Sequence, residues 1–380
     1  MNKLLKTASL ALAVFLMVFF SSCAPTEFED SISGTNSSLP LPENLSIECD
    51  TDTLSYPTEA KTYSAQLWDA PSAPLQETLL HYPILHKEDY AEGPSYFAGN
   101  KEEEEQLIIY DGIRLGGFVY YYLPENELYT KLSHYCSSEP CFFSTGLPFI
   151  SNWNYGSGDL DFEPKVSVEN TLLSLFSSIG VSMKVSQSYS MDVASLERQG
   201  QLEKEYLETH NGEYTPTSWK KEEEAYHIFF RQMVEDLPIA DMDWFSGIAT
   251  NQESPHTYGE AMYGKDGLIN LSVSSLFEVG TPGKTVPIIS PTAALDSLID
   301  GYRNVELKQE TQILSCELVY VPLKKEDCFS LEPAWVFFIR TDEDYFDATT
   351  QAIQHDTEYV YRAIHAESGK LLLPGGGEAK

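Results

Sequence analysis

The chain has 380 residues, of which 42% are apolar and 12% aromatic, enough to build sizeable hydrophobic cores. Its formal charge of -34 excludes nucleic acid as a partner, because contacts to phosphate need a cationic surface. An anionic bilayer would also repel this chain, so any membrane attachment has to come from a separate anchor.

Residues 1–22 predict a signal peptide. The apolar run Ser9–Phe20 follows two lysines and is too short for a comfortable membrane span. The next residues, Ser21-Ser22-Cys23-Ala24, resemble a bacterial lipobox, which implies cleavage before Cys23 and lipidation of its thiol. We therefore expect a lipoprotein on the extracytoplasmic face of the cell membrane, held there by acyl chains. The alternative is an ordinary secretory signal followed by a chance cysteine.

Residues 23–60 predict a flexible tether. The segment is rich in Ser, Thr, Pro, Asn and acidic residues and has few large apolar side chains. Such a composition cannot bury enough surface to offset the entropy lost on ordering. Folded structure is therefore expected from about Lys61 onward.

Residues 61–165 predict an N-terminal β-rich region. Leu107–Tyr110 and Gly117–Leu123 have the composition of strands separated by glycine-containing turns, and Leu75–Leu80 predicts a short helix. We expect this region to pack against the segment that follows it.

Residues 166–285 predict a first αβββ module. Its helix would have Ser167 as N-cap and an apolar stripe at helical spacing. The stripe consists of Leu172, Leu175, Phe176 and Ile179. Three strands are predicted at Ser188–Leu196, Ala225–Val234 and Leu268–Val279, with the polar insertion Glu197–Glu224 between the first two.

Residues 286–380 predict a second αβββ module. Ser290 suits the N-cap and Pro291 the first helical position. The apolar stripe of this helix consists of Leu295, Leu298, Ile299 and Tyr302. Strands are predicted at Ile313–Pro322, Ala334–Ile339 and Tyr359–Ile364, with Leu371–Leu373 closing a hairpin. Because Ala334–Ile339 is apolar on both faces, we place it centrally in its sheet.

The two helical stripes are separated by a constant offset. Ser167 and Ser290 differ by 290 − 167 = 123 positions, and each stripe residue has its counterpart at the same distance. The sequence therefore predicts an α+β fold of tandem αβββ modules, each an antiparallel sheet packed by one helix. The alternative is coincidence, since many amphipathic helices share this spacing.

The six cysteines fit an oxidising compartment. If Cys23 is lipidated, the short loop between Cys136 and Cys141 is one candidate for a disulfide. Cys316 and Cys328, on neighbouring parts of a predicted hairpin, are the other, and Cys49 is left unpaired. The alternative is that all five remain reduced. None of these spacings is typical of a zinc site.

Three acidic runs are expected to be solvated faces, with cation capture as the alternative. They are Glu102–Glu105, Glu222–Glu224 and Asp342-Glu343-Asp344.

The C-terminal half carries four short motifs in a familiar order. They are Ser290–Leu295 (Ser-Pro-x-x-Ala-Leu), Glu317–Pro322, Pro333–Phe337 and Ala366–Lys370. Together they resemble the YycH and YycI regulatory proteins of Gram-positive bacteria and the PepSY-like modules within them. The resemblance covers about Val166–Leu373. It implies an extracytoplasmic, non-enzymatic body that binds protein partners. Those regulators are held by a transmembrane helix whereas this chain has a lipobox, so the resemblance leaves open whether this chain controls a sensor kinase.

Catalytic motifs are absent from the sequence. There is no G-x-S-x-G, H-E-x-x-H, P-loop or G-x-G-x-x-G pattern, and the eight histidines are scattered. We therefore expect a protein-interaction or regulatory module without catalytic activity or cofactor. Its expected partner is a membrane or wall protein with a basic surface. Two alternatives remain open: an extracellular ligand-binding lipoprotein for a peptide or glycan, and a hydrolase of an unfamiliar type.

Overall fold

The computed structural model describes residues 37–100, 103–110, 112, 116–122, 126–137, 155–209, 212–241, 257–303, 305–347, 352–373 and 377–378. The helices are α1 (Ser72–Leu79), α2 (Asn126–Ser137), α3 (Lys165–Ser178), α4 (Val193–Thr209) and α5 (Pro291–Tyr302). The strands are β1 (Leu45–Ile47), β2 (Glu59–Leu67), β3 (Ile84–Tyr90), β4 (Gly93–Gly99), β5 (Glu104–Tyr110), β6 (Gly117–Tyr122), β7 (Met183–Met191), β8 (Ala225–Val234), β9 (Leu237–Pro238), β10 (Tyr258–Gly264), β11 (Gly267–Ser274), β12 (Phe277–Pro287), β13 (Thr311–Lys324), β14 (Phe329–Asp347), β15 (Ala352–His365), β16 (Leu372–Leu373) and β17 (Gly377–Glu378). The fold is mixed α and β with mostly antiparallel strands, which confirms the coarse fold class predicted from the sequence.

A nine-stranded antiparallel sheet has the order β3-β4-β5-β6-β11-β10-β8-β7, with β9 paired to β8. Helices α1 and α3 cover one face, and their apolar side chains share a core with the inward residues of the strands. The ring of Phe176 on α3 meets that of Phe230 on β8 edge-on at 5.0 Å. Leu132 of α2 and Leu196 of α4 pack in a smaller cluster with strand residues such as Met262. Both faces of β8 are therefore buried.

A six-stranded sheet has the order β1-β13-β14-β2-β12, and β15 also pairs with β14. Helix α5 lies on one face of this sheet. The helix begins as predicted, because the Ser290 hydroxyl accepts a hydrogen bond from the Ala293 amide at 3.1 Å and Pro291 occupies the first turn. Strand β14, which includes Ala334–Ile339, lies between β13 and β15, so its predicted central place is confirmed.

The two sheets meet along β8, β9 and β13. Ile239 forms a parallel bridge with Tyr320, and the Ala240 amide donates to the Tyr320 carbonyl at 2.9 Å. An apolar cluster containing Val234, Phe277 and Leu331 fills the space around this junction. The segment predicted as the N-terminal region contributes to both sheets, since β2 joins the six-stranded sheet and β3–β6 extend the other.

Both predicted stripe helices are present, but the first begins earlier than expected. Lys165 starts α3 because its amide is bound by the Asp159 carboxylate at 2.8 Å and Pro164 stands at the N-cap. Ser167 is therefore within the first turn and is not the N-cap; its hydroxyl contacts Glu163.

Two strand predictions in this region need correction. Residues 193–196, predicted as strand, begin α4, because Asp192 caps that helix by accepting from the Ser195 amide at 2.7 Å. The predicted strand Leu268–Val279 is divided between β11 and β12. The break falls at Ser275, whose φ of 52° is incompatible with a continuous strand.

The prediction of a flexible tether up to residue 60 is wrong for its later part. Strand β1 pairs in parallel with β13, and Leu45, Ile47 and Cys49 are buried under α5. Nearer the N-terminus, the Ser37 hydroxyl donates to Asp296 on α5 at 2.9 Å. Alternating apolar residues bury one face of a short strand here, in a segment whose average composition is polar.

Candidate functional site

Strand β3 forms one end of the nine-stranded sheet. It pairs with β4, and within the described residues its other edge has no strand partner. All seven of its residues are exposed, including Leu85 at 58% and Ile84 and Tyr90 at 45% each. Exposed backbone groups at a sheet edge are a ready template for pairing with another extended chain.

The register of the β3–β4 hairpin shows which backbone groups face outward. Asp89 lies opposite Pro94, and proline has no N–H to donate, so this is a non-hydrogen-bonded pair. Pairs alternate along an antiparallel ladder, so Lys87, opposite Tyr96, is also non-hydrogen-bonded. The N–H and C=O groups of Lys87 and Asp89 therefore point away from β4 toward the open edge.

Side chains on the two faces of β3 hold the strand in place. The His86 ring stacks on that of Phe97 on β4, with centroids 4.3 Å apart. On the other face, Lys87 Nζ lies 2.7 Å from Asp89 Oδ1 and 5.8 Å from the Tyr96 ring centroid. These contacts fix the hairpin while leaving the outer backbone edge accessible.

A second candidate lies in the middle of the same sheet. His227 on β8 is buried, and its Nε2 atom lies 2.7 Å from Oε1 of Glu260 on β10. The Phe229 ring lies 4.4 Å from the His227 ring, and Tyr189 packs edge-on against Phe229. An imidazole–carboxylate pair can hold or move a proton. His227 and Phe229 are buried, whereas Glu260 and Tyr189 are partly exposed and mark the side from which a ligand would approach.

Tyr121 on β6 adds a titratable hydroxyl near this pair. Burial, followed by the nearby Tyr110 and Glu260, raises the pKa of Tyr121 to about 12. The phenol is therefore neutral at physiological pH and available as a hydrogen-bond donor. Sequence reasoning missed this cluster because its members come from different strands.

A serine and a carboxylate flank His365 at the turn after β15. Its Nδ1 atom lies 3.0 Å from Ser368 Oγ, and its Nε2 atom lies 3.8 Å from Glu332. The Ser368 amide also donates to Nδ1 at 3.3 Å, and the Gly369 amide donates to the His365 carbonyl. The histidine thus caps a tight turn, and these amides are engaged within that turn and not aimed at an incoming oxyanion.

The predicted disulfide between Cys316 and Cys328 does not form in this structure, where both thiols are free. Cys316 lies opposite Phe337, whereas Cys328 lies in the turn beyond the last pair of the hairpin, Lys324 and Phe329. The eight residue steps of strand from Cys316 to Lys324 separate the thiols by roughly 25 Å. A bridge needs Cα atoms within about 7 Å, so the long strands rule it out.

The other cysteine predictions are not tested by the structure. Cys23 and Cys141 lie outside the described residues. Cys136 belongs to α2, but the structure does not describe its side chain.

Two of the acidic runs are not uniformly solvated. Glu105 is only 1% exposed, and its carboxylate accepts from the His81 amide at 2.8 Å and the Tyr120 hydroxyl at 2.9 Å. Glu224 is also buried, accepting from the Val193 amide at the start of α4 and pairing with Lys221 at 2.9 Å. These two carboxylates stabilise the fold, and the expectation that they are solvated is wrong.

The described surface has a small depression that could hold little more than a water molecule. A depression lined by Tyr122, Leu128, Lys265 and Leu268 has a volume of about 10 Å³, room for roughly one water molecule. Among the described residues, no three or more His, Cys, Asp or Glu side chains are grouped so as to hold a metal ion. The described helices include none that is both long and apolar enough to span a bilayer.

Comparison with family models finds no match, and comparison with curated proteins also finds none. Among solved structures, the chain is similar to the crystal structure of an uncharacterized protein from Eubacterium rectale ATCC 33656. The TM-score is 0.60 at 12% sequence identity, and the match covers 87% of this chain and 91% of that chain. At this identity the similarity shows a shared fold and nothing about function.

Proposed function

We propose that this protein is a lipid-anchored, extracytoplasmic protein-interaction module, and that it works without catalysis or cofactor. The open edge of β3 is the observation that carries the proposal, since it offers exposed apolar side chains beside outward backbone groups. An extended segment of a partner would pair with Lys87 and Asp89 and continue the nine-stranded sheet.

The partner's chemistry follows from the charge of the chain. A formal charge of -34 favours a basic partner and predicts an association rate that falls as salt rises. Lipidation at Cys23 would confine the encounter to the membrane surface and raise the effective concentration of neighbouring membrane or wall proteins.

The test uses two substitutions at Lys87. In Lys87→Pro the outward N–H is lost while the bonds between β3 and β4 remain, so strand addition should be blocked. Lys87→Ala is the matched control, because it removes the same charge and side chain but keeps the N–H. A photo-crosslinker at Leu85 in intact cells identifies the partner, and purified partner is then titrated against each variant.

We expect Lys87→Pro to weaken binding at least tenfold more than Lys87→Ala does, with both proteins equally folded by circular dichroism. Equal binding by the two variants would show that β3 is not the docking edge.

The buried His227–Glu260 pair and its aromatic neighbours favour a second candidate function, the binding of a peptide or glycan. In that case wall-derived peptides or glycans should raise the melting temperature of the wild-type protein. The shift should disappear in His227→Gln. A shift of the same size in both proteins would exclude this face as the ligand site.

The pairing of strands also supports the proposal of a repeated αβββ unit similar to the modules of YycH and YycI. Helix α3 precedes the antiparallel strands β7, β8 and β10, with α4 inserted between β7 and β8, and α5 precedes β13, β14 and β15. In this alignment β10 takes the place of the predicted third strand Leu268–Val279, which pairs with β10 and not with β8. An experimental structure in which the two units do not superpose in this strand order would contradict the proposal.

A further inference from the structure

Two buried cysteines lie at one edge of the six-stranded sheet, one on a strand and the other just beyond the end of the neighbouring strand. Cys49 follows β1 and Cys316 lies on β13, and each is 8% exposed. Both side chains belong to the apolar cluster beneath α5. The sequence alone left Cys49 unpaired, because the pairing of β1 with β13 was not predicted.

The register of the two strands places these cysteines on the same face. Ile47 pairs in parallel with Ile313, and Cys49, two residues further on, donates its amide to the Ile313 carbonyl at 3.3 Å. A β-bulge between Ile313 and Ser315 inserts one residue into β13. The next residue of β13 to return to the cluster after Ile313 is therefore Cys316.

This arrangement favours a disulfide, because the two thiols, both free in this structure, belong to one apolar cluster and Cys49 lies just beyond the β1–β13 pairing. Adjacent strands are spaced about 5 Å apart, and a disulfide needs Cα atoms within about 7 Å and Cβ atoms on the same side. We propose that Cys49 and Cys316 form a disulfide bond in the exported protein, fastening the segment that leads in from the N-terminus onto the sheet.

The bond requires an external disulfide as oxidant, either a thiol oxidase of the compartment or glutathione disulfide. One cysteine thiolate attacks the oxidant's disulfide and releases one of its sulfurs as a thiol. The second cysteine thiolate then attacks the mixed disulfide and releases the other sulfur. The two cysteines lose two protons and two electrons, and the oxidant's disulfide is reduced to two thiols.

The timing of the reaction follows from burial. Burial raises the pKa of Cys49 to about 11 and that of Cys316 well above its ordinary value. Because the thiolate is the reactive form, the folded thiols react slowly. The bond should therefore form during folding, before β1 docks under α5.

The experiment refolds the full chain from denaturant in a buffer containing reduced and oxidised glutathione. Free thiols are then alkylated, and the protein is digested without reduction. Trypsin cuts at Lys308, Lys324 and Lys325, so Cys316 and Cys328 fall in different peptides. Adding a glutamate-specific protease separates Cys23 from Cys49, since Glu27, Glu29 and Glu48 lie between them.

We expect one crosslinked peptide that contains Cys49 and Cys316 and is two hydrogens lighter than its parts. The crosslink should persist in Cys328→Ser and disappear in Cys316→Ser. The wild-type protein should also melt at a temperature several degrees lower after reduction, whereas Cys316→Ser should show no change.

Recovery of both cysteines as alkylated free thiols from correctly folded protein would overturn the proposal. Pairing of Cys49 with any other cysteine would overturn it equally. Neither outcome bears on partner binding at β3, because the two sites lie on different sheets.

Discussion

Arg231 on β8 and Glu317 on β13 join the two sheets directly: Nη1 of the guanidinium donates to both carboxylate oxygens at 2.7 Å. Arg231 Nε also lies 3.1 Å from Asp241, which follows β9. Burial alone would lower the pKa of Arg231, but Asp241 and Glu317 outweigh it and raise the pKa above its ordinary value. The charge is therefore maintained at the junction.

Replacement of Arg231 by glutamine should lower the free energy of unfolding by about 2 kcal/mol, because Asp241 loses its partner in a partly buried position. The value lies below that of a fully buried pair, since Glu317 is half-exposed. Urea unfolding measures the change. The matched control is Arg303→Gln, which removes an exposed pair with Asp300 and should cost less than about 1 kcal/mol. Equal effects of both substitutions would show that the contacts of Arg231 with Asp241 and Glu317 do not stabilise the junction between the sheets.

Glu105→Gln should also destabilise the fold, by about 2 kcal/mol. Oε2 of Glu105 accepts from the His81 amide and Oε1 from the Tyr120 hydroxyl, so an NH2 group in place of either oxygen would face a donor. Its neighbour Glu104 is exposed, so Glu104→Gln is the control and should be nearly neutral. Thermal and urea unfolding both measure the difference. Similar stabilities of the two variants would show that the buried contacts of Glu105 contribute little.

The burial of Glu105 could have been predicted from the sequence. It has the same strand parity as Leu107 and Ile109, and all three face the core. Reading Glu102–Glu105 as one charged run concealed this alternation. Helix α5 and strand β8 were predicted well because their apolar residues form clear patterns. In α5 they form a stripe at helical spacing, and in β8 they form a nearly continuous run.

Strands β1 and β3 could not be predicted from local pattern. Strand β1 has three residues and exists because it pairs with β13, more than two hundred residues away. Strand β3 has no buried residue, so no alternation of apolar and polar side chains marks it. The candidate docking edge was missed because all its side chains are exposed, although Gly93 directly after the Ala91-Glu92 turn was a local signal of a hairpin.

Replacement of Cys23 by alanine should release the protein from membranes or leave it unprocessed, since the proposed acyl chains attach through this thiol. Cell fractionation with detection of the protein measures the outcome. Cys328→Ala is the control, because it removes another thiol without touching the lipobox and should leave the protein on the membrane. Normal processing and membrane retention of the Cys23 variant would contradict lipid anchoring.

Buried tyrosines predict a loss of stability at alkaline pH. Burial, with a contribution from Glu235, raises the pKa of Tyr63 to about 12, and burial with Tyr110 and Glu260 does the same for Tyr121. In the unfolded chain both phenols titrate near their ordinary pKa of 10.0. Above that pH the unfolded state therefore binds fewer protons than the folded state, so unfolding becomes more favourable as pH rises.

The stabilisation from these two groups is fully present below pH 10 and is lost as pH rises through about 12. Urea unfolding at a series of alkaline pH values should show the decline, and the ultraviolet absorbance of phenolate should show late ionisation of the folded protein. Tyr63→Phe and Tyr121→Phe should each make the decline shallower, because phenylalanine has no proton to lose. A decline of unchanged steepness in both variants would mean that other groups cause the alkaline unfolding.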